Sequence, residues 1–338
     1  MLAGYRVTQL LGRGGMGEVW AAVDPSGAAV AIKVLLPNAA LKPDIVARFE
    51  REAALGAAID SPFVCKLLGH ARDQAGALLL VFEKLEGESL SERLTRERYL
   101  SFAEVGPIID DMLEGLAAAH RANVIHRDLK PGNVFLEWTG DRDRPERAKL
   151  LDFGVSKLAR KGPGGRHDEP SLTEFDATLG SFAYMAPEQV RNSARVDHRA
   201  DLYAVGAVAF VALAGRLPFE AGNAAAVIAM KMDRIAPTLS EATGEQWPGG
   251  LERFVARALD RDPERRFVNA DEALAAWRAC LPVVLERRAV PPPPRPAVVA
   301  DGGEHTSEDP APTATDVGVA WDDAATFSDD GKAPALGR

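Results

Sequence analysis

The periodicity of the apolar residues changes once along the chain, and this change constrains the fold more than any other feature. Before residue 87, apolar and polar side chains form short runs typical of β-strands, for example at 19–23 and 78–82. One stretch of helical period, residues 44–58, lies among them. After residue 87, apolar residues recur mostly at helical spacing. The pattern predicts an α+β chain with a small β-rich part before a larger α-rich part.

Several further elements follow from the same periodicities. Strands are also expected at 29–35 and near 64–68, a buried helix at 201–214, and amphipathic helices at 251–260 and 271–280. Asn123 stands where the carboxy-terminal cap of a helix is expected.

Composition narrows the class of protein. The 338 residues are 46% apolar and 26% charged, and the net charge of −9 argues against a nucleic-acid partner. The two cysteines, Cys65 and Cys280, are too few for a disulfide framework and lack the spacing of a metal site. The sequence shows neither a signal peptide nor a run of 18 apolar residues, so we expect a cytoplasmic protein without a membrane span.

The end of the chain has a different composition. Residues 289–338 hold nine acidic and three basic side chains, a charge of −6, and four consecutive prolines begin at Pro291. No apolar periodicity follows, so this segment cannot offset the entropy cost of ordering. We therefore expect an amino-terminal lobe at 1–86, a carboxy-terminal lobe at 87–285 and a disordered acidic tail at 286–338.

A glycine-rich turn and a strand lysine are candidates for binding phosphate. Residues 12–17 fit G-x-G-x-x-G, and a strand follows rather than a helix. Glycine N–H groups can approach phosphate closely, although a plain glycine hairpin is the alternative.

Lys33 ends an apolar strand and needs a partner, either phosphate or Glu52 on the next helix. A surface lysine that only flanks the strand is the alternative.

The densest group of polar side chains is H-R-D-L-K-P-G-N at residues 126–133. Asp128 could accept a hydroxyl proton, Lys130 could neutralise a transferring phosphoryl group, and Asn133 could ligate Mg²⁺. Asp152, in D-F-G, follows an apolar run and could hold a cation that bridges phosphates. A-P-E follows at 186–188. The alternative, a solvated charged loop, does not explain both motifs together.

In this order, the glycine loop, V-A-I-K at 30–33, H-R-D, D-F-G and A-P-E resemble the bacterial eukaryotic-like (Hanks-type) Ser/Thr protein kinases. The resemblance covers roughly residues 4–280. It implies the bilobal protein kinase fold with an ATP cleft between the lobes. It also implies transfer of the γ-phosphate of ATP to Ser or Thr hydroxyls of protein substrates, with Mg²⁺ or Mn²⁺, and autophosphorylation of the activation segment.

The resemblance implies roles for individual residues. Asp128 would be the catalytic base, with Lys130 beside it, and Lys33, paired with Glu52, would hold the α- and β-phosphates. Asn133 and Asp152 would hold the metal ion. The nucleotide would contact Leu11, Gly12, Arg13, Gly14, Gly15, Met16, Gly17, Val19, Ala31, Lys33, Phe82 (as gatekeeper), Glu83 and Leu85 (in the hinge), and Phe135.

Regulation is also implied. Arg127 would bind a phosphate on the activation segment, with Thr178 as the first candidate site and Thr173 and Ser171 as alternatives. Ser181 stands where the family's substrate-facing residue lies, so the resemblance assigns it to the platform for the peptide.

The resemblance also implies two structural contacts, and the sequence differs from the family pattern at two places. Glu188 would pair with Arg266, and Asp201 would brace residues 126–133. A charged insertion at 139–147 predicts a longer surface hairpin. Gly56 stands where a larger apolar residue would align the lobes, so activity would depend more on phosphorylation or on a partner.

The tail carries a separate pattern. Thr306, Thr313 and Thr326 each have aspartate three residues later. Forkhead-associated domains favour phosphothreonine with aspartate at that spacing, so our hypothesis is that phosphorylated tail threonines bind such a partner. A solvated acidic linker is the alternative.

Two other classes of function compete with an active protein kinase. A pseudokinase would use the fold for binding alone, but Lys33, Glu52, Asp128, Asn133 and Asp152 are all present. A small-molecule phosphotransferase is disfavoured by the A-P-E motif, which in the family helps to build a platform for a polypeptide.

Overall fold

A computed structural model describes residues 2–13, 17–36, 43–73, 76–153, 179–191 and 196–280. In these ranges the amino-terminal lobe holds a five-stranded antiparallel sheet with the order β1-β2-β3-β5-β4. Its strands are β1 (Arg6–Arg13), β2 (Gly17–Val23), β3 (Ala29–Leu35), β4 (Leu67–Arg72) and β5 (Leu78–Glu83).

Both faces of this sheet are covered, which explains why β5 is a continuous apolar run rather than an alternating one. Leu78 and Leu80 pack against Phe49 and Ala53 of helix α1 (Pro43–Ala57). Leu79 and Val81 belong to a second cluster, with Ala22, Val30 and Ile32, on the opposite face. The helix predicted at 44–58 is thus confirmed, and it lies on one face of the sheet.

The strand predicted near 64–68 was placed about three residues too early, because β4 begins at Leu67. Val64 instead packs in the core of the carboxy-terminal lobe and forms a parallel bridge with Leu150. The Cys65 N–H donates to the Leu150 carbonyl at 2.9 Å. This apolar segment therefore joins the two lobes, and β4 uses the more polar residues after it.

The carboxy-terminal lobe is mainly helical. A small antiparallel sheet, β6 (Gly87–Ser89), β7 (Val134–Trp138) and β8 (Glu146–Leu150), lies at its boundary with the first lobe. The helices in the described ranges are α2 (Leu90–Glu97), α3 (Phe102–Arg121), α4 (Leu179–Tyr184), α5 (Pro187–Arg191), α6 (Arg199–Ala214), α7 (Ala224–Asp233), α8 (Leu239–Thr243), α9 (Gly249–Ala258) and α10 (Ala270–Arg278). None of the helices in these ranges has the length and apolarity needed to cross a membrane.

Helix α6 forms the centre of this lobe, as its almost wholly apolar sequence predicts, and nearly all of its residues are buried. Helices α3 and α9 pack against it, and α10 packs on α3 through buried Trp277, whose Nε1 donates to the Gly106 carbonyl at 2.9 Å. Helix α3 is capped by Ala122, one residue before the predicted Asn123, which adopts the left-handed φ of +59° instead.

The charged insertion forms the hairpin that the sequence predicts, between β7 and β8. It is also anchored, since Arg144 pairs with buried Asp111 of α3 and lies over the Phe63 ring at 5.4 Å. Burial raises the pKa of Asp111, which also accepts from the Ala148 N–H at 2.8 Å.

Candidate active site

A cavity of about 250 Å³ opens between the two lobes and is lined by both. Val19 and Ala31 come from the five-stranded sheet, Phe135 from β7, and Asp152 from the chain after β8. Of the residues predicted to contact a nucleotide, the cavity is lined by Leu11, Val19, Ala31, Lys33, Phe82, Glu83, Leu85 and Phe135. Gly12, Arg13 and Gly17 are described but do not line it.

Lys33 and Asp152 meet across this cleft. The Lys33 Nζ lies 2.9 Å from Asp152 Oδ1, and both side chains stay about a quarter exposed. Asp152 has a φ of +45°, an uncommon backbone conformation for a residue with a side chain. The next residue, Phe153, is buried against the His126 ring with centroids 4.8 Å apart. Buried Phe153 thus fixes the turn that places Asp152 at the cleft.

The last glycine of the glycine loop is required by the sheet. A Cβ on Gly17 would lie 2.5 Å from the Val34 carbonyl oxygen on β3, which no side chain tolerates. Gly17 therefore allows β2 and β3 to begin pairing directly after the loop. The loop residues Gly14, Gly15 and Met16 lie outside the described residues.

The hinge is held by a lysine that the sequence analysis did not single out. Lys149 of β8 is buried and lies 2.8 Å from Glu83 Oε1 and 3.3 Å from a carboxylate oxygen of Glu137. The same Glu83 oxygen accepts from the Lys66 N–H at 2.8 Å. These contacts join the end of β5 to the floor of the cleft. A lysine inside the otherwise apolar run 148–151 was the available signal.

Residues 126–133, which we call the polar loop, bring the other predicted residues together. Asn133 Nδ2 donates to the Asp128 carbonyl at 2.7 Å and lies 3.4 Å from Asp128 Oδ2. Lys130 Nζ is 3.5 Å from the same carboxylate oxygen. The Asn133 carbonyl accepts from the Leu151 N–H at 2.9 Å, so the loop is fastened directly beside Asp152.

Asp201 braces the polar loop from α6, as predicted. Its carboxylate accepts from the His126 N–H at 2.9 Å and the Arg127 N–H at 2.8 Å, and it lies 2.8 Å from His120 Nε2. Burial alone would raise the pKa of Asp201, but the hydrogen bond and attraction to His120 and the contacts to the polar loop hold it below its ordinary value. Arg127 itself has a φ of +64°, which this bracing maintains.

The Arg127 guanidinium is half-buried and donates to the Val196 carbonyl at 3.4 Å. Burial lowers its pKa, an effect that the charge of Asp201 opposes. The proposed phosphate sites Thr178, Thr173 and Ser171 lie outside the described residues. So do the tail, its three threonines and Gly154.

Glu188 and Arg266 form the predicted pair, with two contacts of 2.7 Å and the Arg266 side chain fully buried. Arg266 Cζ also lies 5.0 Å from the centroid of the Tyr203 ring. Ser181 lies on α4, and its side chain is not among the described ones. The same holds for the side chain of Glu52, which lies on α1, so the expected Lys33–Glu52 pair stays a prediction.

Gly56 and Cys65 also line the cavity, although neither was predicted to do so. A Cβ on Gly56 would lie 3.3 Å from Leu67 Cβ, so Leu67 already fills part of the space left by the glycine. Burial raises the pKa of the Cys65 thiol far above its usual range, which keeps it neutral.

Comparison with known proteins agrees with this geometry. The family model for the protein kinase domain matches residues 5–277. The chain is 36% identical to the serine/threonine-protein kinase pkn3 of Myxococcus xanthus, over 86% of this chain and 52% of that protein. It is 34% identical to PknJ of Mycobacterium tuberculosis, over 89% of this chain and 49% of that protein. The chain thus spans about half the length of these curated relatives.

A solved structure shows the same fold. The crystal structure of the Mycobacterium tuberculosis PknI kinase domain superposes with a TM-score of 0.61 at 26% identity, covering 82% of this chain and 97% of that one. A β-sheet lobe and a helical lobe around this cleft form the protein kinase fold. This chain belongs to the protein kinase domain family, and the relatives compared here are bacterial Ser/Thr kinases. The family uses ATP and a divalent metal ion.

Proposed function

We propose that this chain is an active Ser/Thr protein kinase, which transfers the γ-phosphate of ATP to Ser or Thr hydroxyls of proteins. The observation that carries the proposal is that Lys33 and Asp152 meet in the cleft, while Asn133 and Asp128 lie in the polar loop, which is fastened directly beside Asp152. The Lys33–Asp152 ion pair joins two of them, and the hydrogen bonds of Asn133 to Asp128 and Leu151 join the others. A pseudokinase, which does not transfer phosphate, would need neither the Lys33–Asp152 pair nor the polar loop that holds Asp128 and Asn133.

Each of these side chains has a role that its surroundings permit. Lys33 stabilises phosphate charge within the cleft. Asp128 accepts the proton of the attacking hydroxyl, while the new O–P bond forms and the bond to the ADP oxygen breaks. Lys130, 3.5 Å from Asp128, offsets charge on the transferred group. Catalysis is then mainly positioning and electrostatic stabilisation.

The residues present also fit a metal ion, for which we propose Mg²⁺, with Mn²⁺ as the alternative. The amide nitrogen of Asn133 is bound to Asp128, which leaves its oxygen as a ligand beside the carboxylate of Asp152. In the described ranges, no three His, Cys, Asp or Glu side chains form a metal cluster. Asn133 and Asp152 would hold the ion, and oxygen ligands of this kind suit Mg²⁺. When bound, the ion would supply positive charge that offsets the charge of the phosphates.

For regulation, we propose that Arg127 pairs with a phosphate on Thr178, with Thr173 and Ser171 as alternative sites, and that Ser181 contributes to the platform for the peptide. The half-buried guanidinium of Arg127 supports its pairing with a phosphate.

We also propose a cytoplasmic location and a forkhead-associated partner for phosphorylated Thr306, Thr313 or Thr326. Phosphopeptide mapping that finds these three unmodified in the active protein contradicts the partner.

The test is transfer of radiolabelled γ-phosphate from Mg-ATP by the full chain to itself and to dephosphorylated casein. Asp128→Asn is expected to lower the rate by about 10²- to 10⁴-fold, the usual contribution of a positioned base. Asp233→Asn, on the exposed end of α7, is the matched control and is expected to transfer phosphate at the wild-type rate.

Mass spectrometry of the products then maps the labelled residues. If the wild type labels nothing although Mg-ATP raises its melting temperature, the chain binds nucleotide without turnover, and the Thr178→Glu variant is assayed next. If this variant also labels nothing, a missing phosphate on Thr178 is excluded as the reason, and a pseudokinase replaces this proposal.

A further inference from the structure

Helix α7 carries a buried lysine that the roles above do not use. Lys231 is only 2% exposed, on a helix that is otherwise almost entirely apolar. It shares a buried stripe with Ala224 and Val227, at the spacing of one helix face. Because burying an ammonium group is costly unless it is paired, its partners indicate its role.

Three of these partners are backbone carbonyls of one short segment. The Lys231 Nζ donates to the carbonyls of Phe182 at 2.8 Å, Ala183 at 2.7 Å and Met185 at 2.7 Å. Since α4 ends at Tyr184, its last carbonyls have no partner within the helix, and a cation is favoured at that end. The Tyr203 ring, with its centroid 5.1 Å from Nζ, further stabilises the charge.

A second side chain links the same segment to the polar loop. Gln189 Oε1 accepts from the Ala186 N–H at 2.9 Å, and its Nε2 donates to the Arg127 carbonyl at 2.9 Å. Arg127 directly precedes Asp128. Residues 182–186 are therefore held from one side by Lys231 and fastened by Gln189 to the loop that carries the proposed base.

We propose that Lys231 and Gln189 are positioning residues for the protein substrate. By fixing the backbone of 182–186 against the polar loop, they set where an acceptor peptide lies relative to Asp128. The inference rests on the proposed kinase function. If these residues only stabilise the fold, their variants should melt at a lower temperature with unchanged kinetic constants. If they position the substrate, the variants should lose kcat/KM for the protein substrate while KM for ATP stays nearly unchanged.

The test is steady-state kinetics of the full chain with Mg-ATP and dephosphorylated casein. Lys231→Met removes the ammonium group and keeps the apolar stem. We expect kcat/KM for casein to fall about tenfold or more, mainly through a higher KM for casein, while KM for ATP changes less than about twofold. Asp233→Asn, on the same helix, is the matched control and keeps both constants.

Gln189→Glu provides a second arm that does not depend on the buried lysine. Glutamate still accepts from the Ala186 N–H but cannot donate to the Arg127 carbonyl, so a rise of roughly threefold in KM for casein is expected. This variant decides the question if Lys231→Met does not fold, as judged by its melting curve.

Unchanged casein constants in the folded variants overturn the inference, and so do equal changes in the constants for ATP and casein. An active wild type with unaffected variants overturns this inference alone. A wild type that transfers no phosphate under any condition overturns the proposed function, and the inference with it.

Discussion

The cleft and the region beneath it hold their charges in different ways. In the cleft, Lys33 and Asp152 are 22% and 26% exposed. Beneath it, the buried support (Asp201, Arg266 and Lys231) holds charges that are at most 2% exposed. The first set keeps contact with water and is available to a ligand, whereas the second is fully occupied with other parts of the chain. Cleft charges should therefore govern activity, and buried charges should govern stability as well.

The largest effect is expected from Arg266→Met. This change leaves the Glu188 carboxylate without its bidentate partner, and breaking a buried pair costs about 3–5 kcal/mol of unfolding free energy. Urea denaturation measures it. The matched control is Arg278→Met, which removes an equally short but half-exposed bidentate contact to Asp110 and should cost less than about 1 kcal/mol. If the two variants lose the same unfolding free energy, buried and exposed ion pairs contribute equally to stability, and the contrast drawn above is wrong.

Asp201→Asn should cost about 2–3 kcal/mol, because charge-assisted hydrogen bonds to the polar loop are weakened. The pKa of Asp201 lies below its ordinary value of about 3.9, so its stabilising effect is complete above about pH 5 and is lost as pH falls through the folded value. Unfolding free energies from pH 7 to 3 should show the gap between wild type and variant constant at first and narrowing below about pH 4. A gap that widens in acid contradicts this assignment.

Lys33→Met should separate activity from stability. Phosphate transfer should become undetectable, yet the unfolding free energy should change by less than about 1 kcal/mol, because a partly exposed ion pair contributes little. Parallel transfer assays and urea titrations check both halves. A loss of several kcal/mol would mean that the pair also holds the lobes together.

Tyr203→Phe should have the smallest effect, within about 0.5 kcal/mol. In the described part of the chain, the buried Tyr203 hydroxyl has no hydrogen-bond partner, and the ring between Lys231 and Arg266 is kept. Thermal melting of this variant beside Tyr203→Leu separates hydroxyl from ring. If removing the hydroxyl alone destabilises the protein strongly, a water-mediated contact is present there.

How far the sequence predicts the structure differs between these regions. The α+β order and the helices at 44–58 and 201–214 follow from periodicity, since they depend on neighbouring positions. Eight of the nucleotide contacts that the family resemblance implies line the cavity. The start of β4 does not, because Val64 gains more by packing in the other lobe than by pairing in the sheet. The roles of Lys149, Gln189 and Lys231 were not predicted either. For Lys231, its position in an otherwise apolar helical stretch was the available signal.

By itself, the sequence determined the family and the fold, and its motifs pointed to Lys33 and Asp152, because local periodicity and motif order specify these features. Only the tertiary structure decided that Lys33 meets Asp152, that Lys149 holds the hinge and that Lys231 binds the carbonyls of 182, 183 and 185. The physical reason is that a buried charge takes its partner from whichever segment the fold brings within about 3 Å, and such partners stand anywhere in the chain.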